Sequence, residues 1–381
     1  MSPSATAQTA PQTVMKPEPS QAGQLDAAAM TFNLVPESEQ EQVPGLYDAA
    51  RMTQRAMTAH MVQATWRAET GWESPEMIPY GKIGLLPTAS VLHYATESFE
   101  GMKVYRGYDD KLRLFRPWLN CKRLSKSNAR VCLPDFDQEA LLRIIASYLA
   151  IECRRWLPEQ GSNLRPRQFP LGSSFWLVIP NLFELGPVVF GSAKVGASYG
   201  PAMVAQAKAR ENDCSQTLWL FGEKRLVTEA GASNFFVVWR RESSDIIELV
   251  TSSLDTEIVL DGITRRSILE LARERLSTDS KARLSGLAPI EIIERPFSMD
   301  EIIQAQTDGR LIECFVSGTA MFISPVSVIK YADTVVSFPM TVMDDGHKTP
   351  DSPYSSTLKS WLEDIMYGKE DHEWAYVIEQ Q

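Results

Sequence analysis

The chain has 381 residues, 44% of them hydrophobic, which is enough for two packed domains and a sizeable buried core. Its 38 Lys+Arg against 48 Asp+Glu leave a net charge of −10 with no basic cluster, and a nucleic-acid groove needs a positive stripe, so that partner class is excluded. No apolar run approaches a bilayer span, so no membrane partner is expected either.

In chain order, the first two dozen residues are rich in Ser, Ala, Thr, Gln and Pro, with Lys16 as the only basic side chain. They have neither the apolar stretch of a secretory signal nor the basic amphipathic helix of a transit peptide, so residues 1–45 are expected to be a disordered tail of a cytoplasmic protein. Ordered chain should begin between Gly45 and His60, with a helix there and a strand over 61–66. The two prolines in 72–80 favour an extended edge. Strand ends are expected at 90–94 and 101–105. The latter forms a hairpin with 112–115 across Tyr108-Asp-Asp110. Pro117 suits a helix start. Asp137 opens a second helix, with Leu141, Leu142, Ile145 and Leu149 at helical spacing. The apolar run 175–179 reads as a buried strand, followed by strands at 217–220, 235–239 and 246–251. A helix over 263–276, a strand at 313–316 and a closing helix over 355–366 complete the reading. Strands and helices mix without strict βαβ alternation, so the fold class is α+β. The division expected is a small α/β domain over 46–183 and a large cofactor-binding domain over 184–381.

Five cysteines at irregular spacing, no CxxC pair and only four scattered histidines indicate neither a disulfide framework nor a metal site. Phosphate-cradling glycine signatures are absent, as are H-E-x-x-H and G-x-S-x-G. What stands out is a series of short motifs: Leu92-His-Tyr94 with Phe99-Glu-Gly-Met-Lys-Val-Tyr105, then Leu114-Phe-Arg-Pro-Trp-Leu-Asn-Cys-Lys-Arg-Leu124, then Lys194-Val-Gly-Ala-Ser-Tyr199. After these come Thr228-Glu-Ala-Gly-Ala-Ser-Asn-Phe235, Leu260-Asp-Gly-Ile-Thr-Arg265 and Ser317-Gly-Thr-Ala320.

This series closely resembles the eukaryotic branched-chain-amino-acid aminotransferases, pyridoxal-phosphate enzymes of fold-type IV. The likeness runs from about Thr58 to Trp374 and includes the tail His372-Glu-Trp374. It implies a two-domain α+β architecture, pyridoxal 5'-phosphate as cofactor, and a homodimer whose sites are completed by the neighbouring subunit. The implied reaction is ping-pong transfer of the amino group between Leu, Ile or Val and 2-oxoglutarate. By the resemblance, Lys194 carries the cofactor as a Schiff base and shuttles the α-proton, and Tyr199 contacts the cofactor's phenolic oxygen. Glu229 faces the pyridine nitrogen. Arg123, the first amides of the helix at Ile263 and Thr264, and the Thr319 hydroxyl would hold the phosphate. Tyr94 and Phe99 match the apolar substrate wall, the Thr319-Ala320 amides the substrate carboxylate, and Arg165 the second carboxylate of 2-oxoglutarate.

The chain departs from the family pattern in three places. Asn163 stands where the family has tyrosine. Ala197 and Ser198 replace the glycine and asparagine of K-x-G-G-N-Y. The stretch from Pro166 to Lys194 is shorter than the family's, giving a shortened interdomain region that lacks a strand and should expose neighbouring strand edges. Two alternatives stay open at this point: a catalytically impaired homologue, and an aminotransferase specialised for a secondary-metabolite precursor.

Overall fold

The structure is a computed structural model that describes residues 23–45, 48–49, 56–157, 161, 174–178, 191–278, 280, 286–320, 322–342 and 348–379, with 174–178, 340–342 and 348–350 described through their backbone. Arg165, Asn163, most of the shortened stretch and most of the helix expected between 45 and 60 lie outside the described residues. Among the described residues no helix is long and apolar enough to cross a membrane.

The tail ends earlier than expected. From Gly23 onward the chain is packed: β1 (Thr31–Phe32) runs parallel to β5 (Glu76–Pro79), which pairs antiparallel with β2 (His60–Gln63). A short ladder of β3 (Trp66–Arg67) and β4 (Gly71–Trp72) lies between the two in sequence. Leu25 and Met30 join Met77, Ala140 and Ile144 in one apolar cluster, and the Val35 N–H donates to His60 Nε2 at 2.8 Å. Composition predicted disorder here because two buried apolar side chains are too few to register against a polar background. Their partners sit 47 to 119 residues away.

The middle of the chain follows its local signals. β6 (Val104–Arg106) and β7 (Leu112–Phe115) form the expected hairpin. Helix α1 (Ser90–Tyr94), by contrast, occupies a segment expected to be a strand end; it is a single turn closed by Ala95 in the left-handed region at φ 47°. A strand needs a neighbour to take its hydrogen bonds, and no sheet among the described residues pairs with this segment. Helix α2 (Pro117–Arg130) starts on Pro117. Helix α3 (Gln138–Trp156) is capped by the Asp137 carboxylate, which accepts the Ala140 N–H at 2.7 Å. Both helices pack on the β6–β7 hairpin through Leu112, Leu114, Cys121, Leu142 and Cys153.

The remainder is built on one nine-stranded sheet. It contains β8 (Ser174–Val178), β9 (Gln216–Phe221), β10 (Leu226–Ala230), β11 (Ser233–Arg240), β12 (Ile247–Thr251), β13 (Ile290–Glu294), β14 (Leu311–Gly318), β15 (Phe322–Tyr331) and β16 (Thr334–Ser337). The spatial order is β10-β9-β8-β15-β14-β11-β12-β13, with β16 beside β15. Because β10 also pairs with β11, the sheet curls into a closed ring of six strands. β8 lies between β9 and β15, parallel to both, so the sheet is continuous across the shortened stretch and the expected exposed edge is absent there. β8 therefore belongs to the large sheet rather than to the 46–183 unit. β17 (Met340–Val342) and β18 (Lys348–Pro350) pair with each other, and β19 (Ala375–Ile378) returns to the edge of β7. The sheets thus do not divide at residue 183.

Helices α4 (Ala202–Glu211), α5 (Ile263–Arg275), α6 (Met299–Thr307) and α7 (Pro353–Met366) complete the chain. One face of the sheet packs on α6 through Val237, Val316, Met299 and Ile302. The other packs on α5 and α7 through Phe236, Phe315, Ile268, Leu271 and Leu358. Phe236 and Phe315 stack at 4.8 Å in the middle of that second layer.

A buried acid sits where α7 meets this sheet. Glu313 is 1% exposed; its Oε1 accepts the Ser355 N–H at 2.7 Å, and its Oε2 has no hydrogen-bond partner among the described residues. Burial outweighs the favourable helix amides and pushes its carboxyl up to about 8. The folded state therefore favours the neutral acid. That contribution to stability is complete below pH 4.5 and is lost as pH rises through about 8. Glu313→Gln should flatten the alkaline side of the stability curve, making the variant more stable than the parent at pH 9 by on the order of 3 kcal/mol. Denaturant titrations of both proteins at pH 5 and pH 9 check it; parallel pH profiles would rule the explanation out.

Candidate active site

The lysine motif reaches its place through backbone pairing with a segment a hundred residues earlier. Val195 bridges Ser98, the Phe99 N–H donates to Lys194 O at 3.1 Å, and the Gly196 N–H donates to Glu97 O at 3.2 Å. The Lys194 N–H is held in turn by Ser127 Oγ of α2 at 2.9 Å. A Cβ at position 196 would lie 2.2 Å from the Glu97 carboxylate, so a side chain there would push that carboxylate aside. The first and third motifs are thus parts of one wall, with α2 behind it.

Within that wall the Lys194 amine is boxed by aromatic rings. Nζ donates to Tyr199 Oη at 3.2 Å and stands 4.4 Å from the centre of the Phe99 ring. Phe99 and Tyr199 meet edge to face at 4.9 Å. Burial is the main reason that the Lys194 pKa is lowered, and the Arg123 charge lowers it further against the opposing pull of Glu100 and Glu229. Burial likewise pushes the Tyr199 phenol up, helped by Glu229. An amine with a depressed pKa has a larger unprotonated fraction and is the better nucleophile.

Glu229 acts through its charge on both Lys194 and Tyr199. It lies in β10, directly opposite Asn234 of β11 at the closure of the ring. Its Oε1 accepts from Asn234 Nδ2 and from the Leu260 N–H, each at 3.2 Å. Burial pushes its carboxyl up to about 7, against the Leu260 bond and the Lys194 and Arg123 charges. Glu229 is half-buried by surface area, yet its surroundings are dense enough for burial to dominate its chemistry.

Arg123, on α2, is committed on one side. Its Nε and Nη2 form a fork with the Glu100 carboxylate, and Nη1 donates to Asp261 O at 3.1 Å. A guanidinium has five N–H groups, so an edge remains for an anion. Glu100 is further held by Asn120 Nδ2 and the Gly101 N–H. Ile263 and Thr264 open α5 after Gly262, with no side chain capping the helix. A Cβ at 262 would lie 1.9 Å from the Oδ1 of Asn234, so a side chain there would displace the residue that orients Glu229. Ile263, Thr264 and Thr319 line one cavity together with Gly101, Asn120 and Phe115.

The structure thus brings Lys194, Tyr199 and Phe99 into contact, sets Arg123 and Glu229 where their charges act on the amine, and lines a cavity with Ile263, Thr264 and Thr319. Ala320 is exposed beside it, its carbonyl accepting from Lys103 Nζ at 3.0 Å. Tyr94 is 77% exposed on α1, outside the cluster, and Arg165 lies outside the described residues. Sequence reasoning overlooked Glu100, Ser127 and Asn234. Glu100 and Asn234 fall inside motifs already singled out, where a polar residue next to an assigned one was the available signal; nothing local marks Ser127.

The donor set fits a phosphorylated aldehyde cofactor. It offers a half-buried amine, an acid at the ring closure whose charge acts on that amine, and an uncapped helix start.

Comparison with known proteins gives the same direction. The family model for amino-transferase class IV matches residues 97–329. The branched-chain-amino-acid aminotransferase of Monosiga brevicollis is 35% identical over 351 residues, covering 84% of this chain and 85% of that protein. The cytosolic branched-chain-amino-acid aminotransferase of Saccharomyces cerevisiae is 34% identical, covering 85% of this chain and 91% of that protein. In fold, the branched-chain amino acid aminotransferase of Thermobaculum terrenum in its PLP-form superposes with a TM-score of 0.61 at 19% identity, over 84% of this chain and 99% of that one. On the extent of these matches, the chain belongs to the class IV aminotransferases, within the branched-chain-amino-acid aminotransferase family.

Proposed function

We propose that this protein transfers the amino group between leucine, isoleucine or valine and 2-oxoglutarate, using pyridoxal 5'-phosphate held by Lys194. The observation that carries the reading is a half-buried amine, bonded to Tyr199 Oη at 3.2 Å, on which the charge of the half-buried acid Glu229 acts. When bound, pyridoxal phosphate supplies an aldehyde for the lysine and a ring that draws electrons from the substrate's α-carbon. Lys194 would hold it and carry a proton at Nζ, with Tyr199 Oη keeping the amine in place at 3.2 Å. Glu229, oriented by Asn234 and Leu260, would face the ring nitrogen. The Ile263 and Thr264 amides, the Thr319 hydroxyl and the outer edge of Arg123 would bind the phosphate.

On the substrate side, Phe99 offers an apolar wall and the Thr319-Ala320 turn its amides for the α-carboxylate. Arg165 is assigned the second carboxylate of 2-oxoglutarate. The exposed Tyr94 would contribute once a second copy covers it: Ile83, Leu86 and Leu92 on the same segment are 74%, 75% and 58% exposed. Apolar exposure of this density favours a homodimer. A cytoplasmic location is supported by relatives named as cytosolic in rat and yeast.

The test is direct. Purified protein given leucine and 2-oxoglutarate should form glutamate and 4-methyl-2-oxopentanoate in equal amounts, with valine and isoleucine serving in turn. Failure with all three amino acids would overturn the reading.

A further inference from the structure

The tail motif His372-Glu-Trp374 and the arginine of Leu114-Phe-Arg116 have no part in the chemistry above, yet they meet. Arg116 is the residue before α2, with its backbone in the left-handed region at φ 47° and its N–H donating to Trp374 O at 2.8 Å. Its guanidinium lies over the Trp374 ring, 4.1 Å from the centre. On the other side it reaches α5: Nη1 and Nη2 fork the Glu270 carboxylate at 2.6 and 3.2 Å. Nη1 also donates to Ser267 Oγ at 3.1 Å, and that hydroxyl donates to Ile263 O at 2.8 Å. Arg116 is only 7% exposed.

The two helices it joins carry the two halves of the anion cradle. Arg123 is on α2, less than two turns along, and Ile263 and Thr264 begin α5. The ring under Arg116 also packs edge to face on Phe115 at 5.9 Å, and Phe115 lines the same cavity as Ile263 and Thr264. A planar guanidinium suits this place because it can stack on a ring and fork a carboxylate at once, which an ammonium cannot.

We infer that Arg116, held by Trp374 and Glu270, is a positioning residue for the phosphate end of the cofactor site, setting the start of α5 against α2. The inference rests on the cofactor reading above. It makes the segment that carries Trp374 part of what determines phosphate affinity.

The test compares two ligands on the full chain: pyridoxal 5'-phosphate and pyridoxal, which lacks the phosphate. Arg116→Met and Arg116→Lys should each weaken pyridoxal phosphate binding about 10-fold, while pyridoxal binding stays the same. Trp374→Phe, which keeps a ring and the backbone carbonyl, should lose less. Should Arg116→Met fail to fold, Glu270→Gln carries the same comparison from the more exposed side of the fork. Equal weakening of both ligands would mean a general structural role and overturn the inference, as would unchanged pyridoxal phosphate affinity. A parent protein that binds neither ligand would overturn the functional reading, and this one with it.

Discussion

Lys194→Ala should lower transamination of leucine by at least about 10³-fold. The Lys194 amine is enclosed by the Phe99 and Tyr199 rings, and burial lowers its pKa, so near neutrality it carries more free amine than a solvated lysine does. Alanine removes both the nucleophile and the proton carrier. Lys194→Arg should fail equally, because a guanidinium keeps its protons and does not condense with an aldehyde. Initial rates of glutamate formation, with borohydride trapping followed by mapping of the labelled peptide, measure the two roles separately. A variant within tenfold of the parent, or a label on another lysine, would remove Lys194 from the assignment.

Glu229→Gln should cost on the order of 10²-fold in rate and change the pH dependence of cofactor affinity. The carboxyl sits at about 7, raised by burial, while Asn234 and the Leu260 N–H hold it in one orientation. Its ionised form is the one that pairs with a protonated ring nitrogen. Binding therefore draws the group toward ionisation and releases a proton when the pH is below about 7. Affinity of the parent should rise between pH 6 and 8, less steeply in Glu229→Gln, whose amide is neutral throughout. Cofactor titrations of both proteins across that range check it. Superimposable pH profiles would show that the acid at 229 does not face the ring.

Local signals were legible where the physics is local. Asp137 caps α3, Pro117 begins α2 and the glycine before Ile263 marks the start of α5, because each acts on backbone groups within one turn. Two helices with equally local signals were passed over. α6 carries a capping box between Ser298 and Glu301, and α4 is rich in alanine. The segment at 90–94 misled for the opposite reason: apolar residues without a pairing partner read as a strand but fold as a single turn. Residues 23–45 were read as tail since their order comes from Met77, His60 and Ile144, none of them nearby in sequence.

The order of the motifs by itself determined the chemistry this protein can support, because the lysine, the acid and the uncapped helix start are residue types with few substitutes. Only the tertiary structure decided which motifs meet: Lys194 beside Phe99 and Ser127, Glu229 under Asn234 and Leu260, Arg123 against Glu100, Arg116 between Trp374 and Glu270. It also decided the charge states, since an acid at about 7 and a depressed lysine are products of burial. Burial depends on how distant strands close into a ring, and no pattern of neighbouring residues encodes that closure.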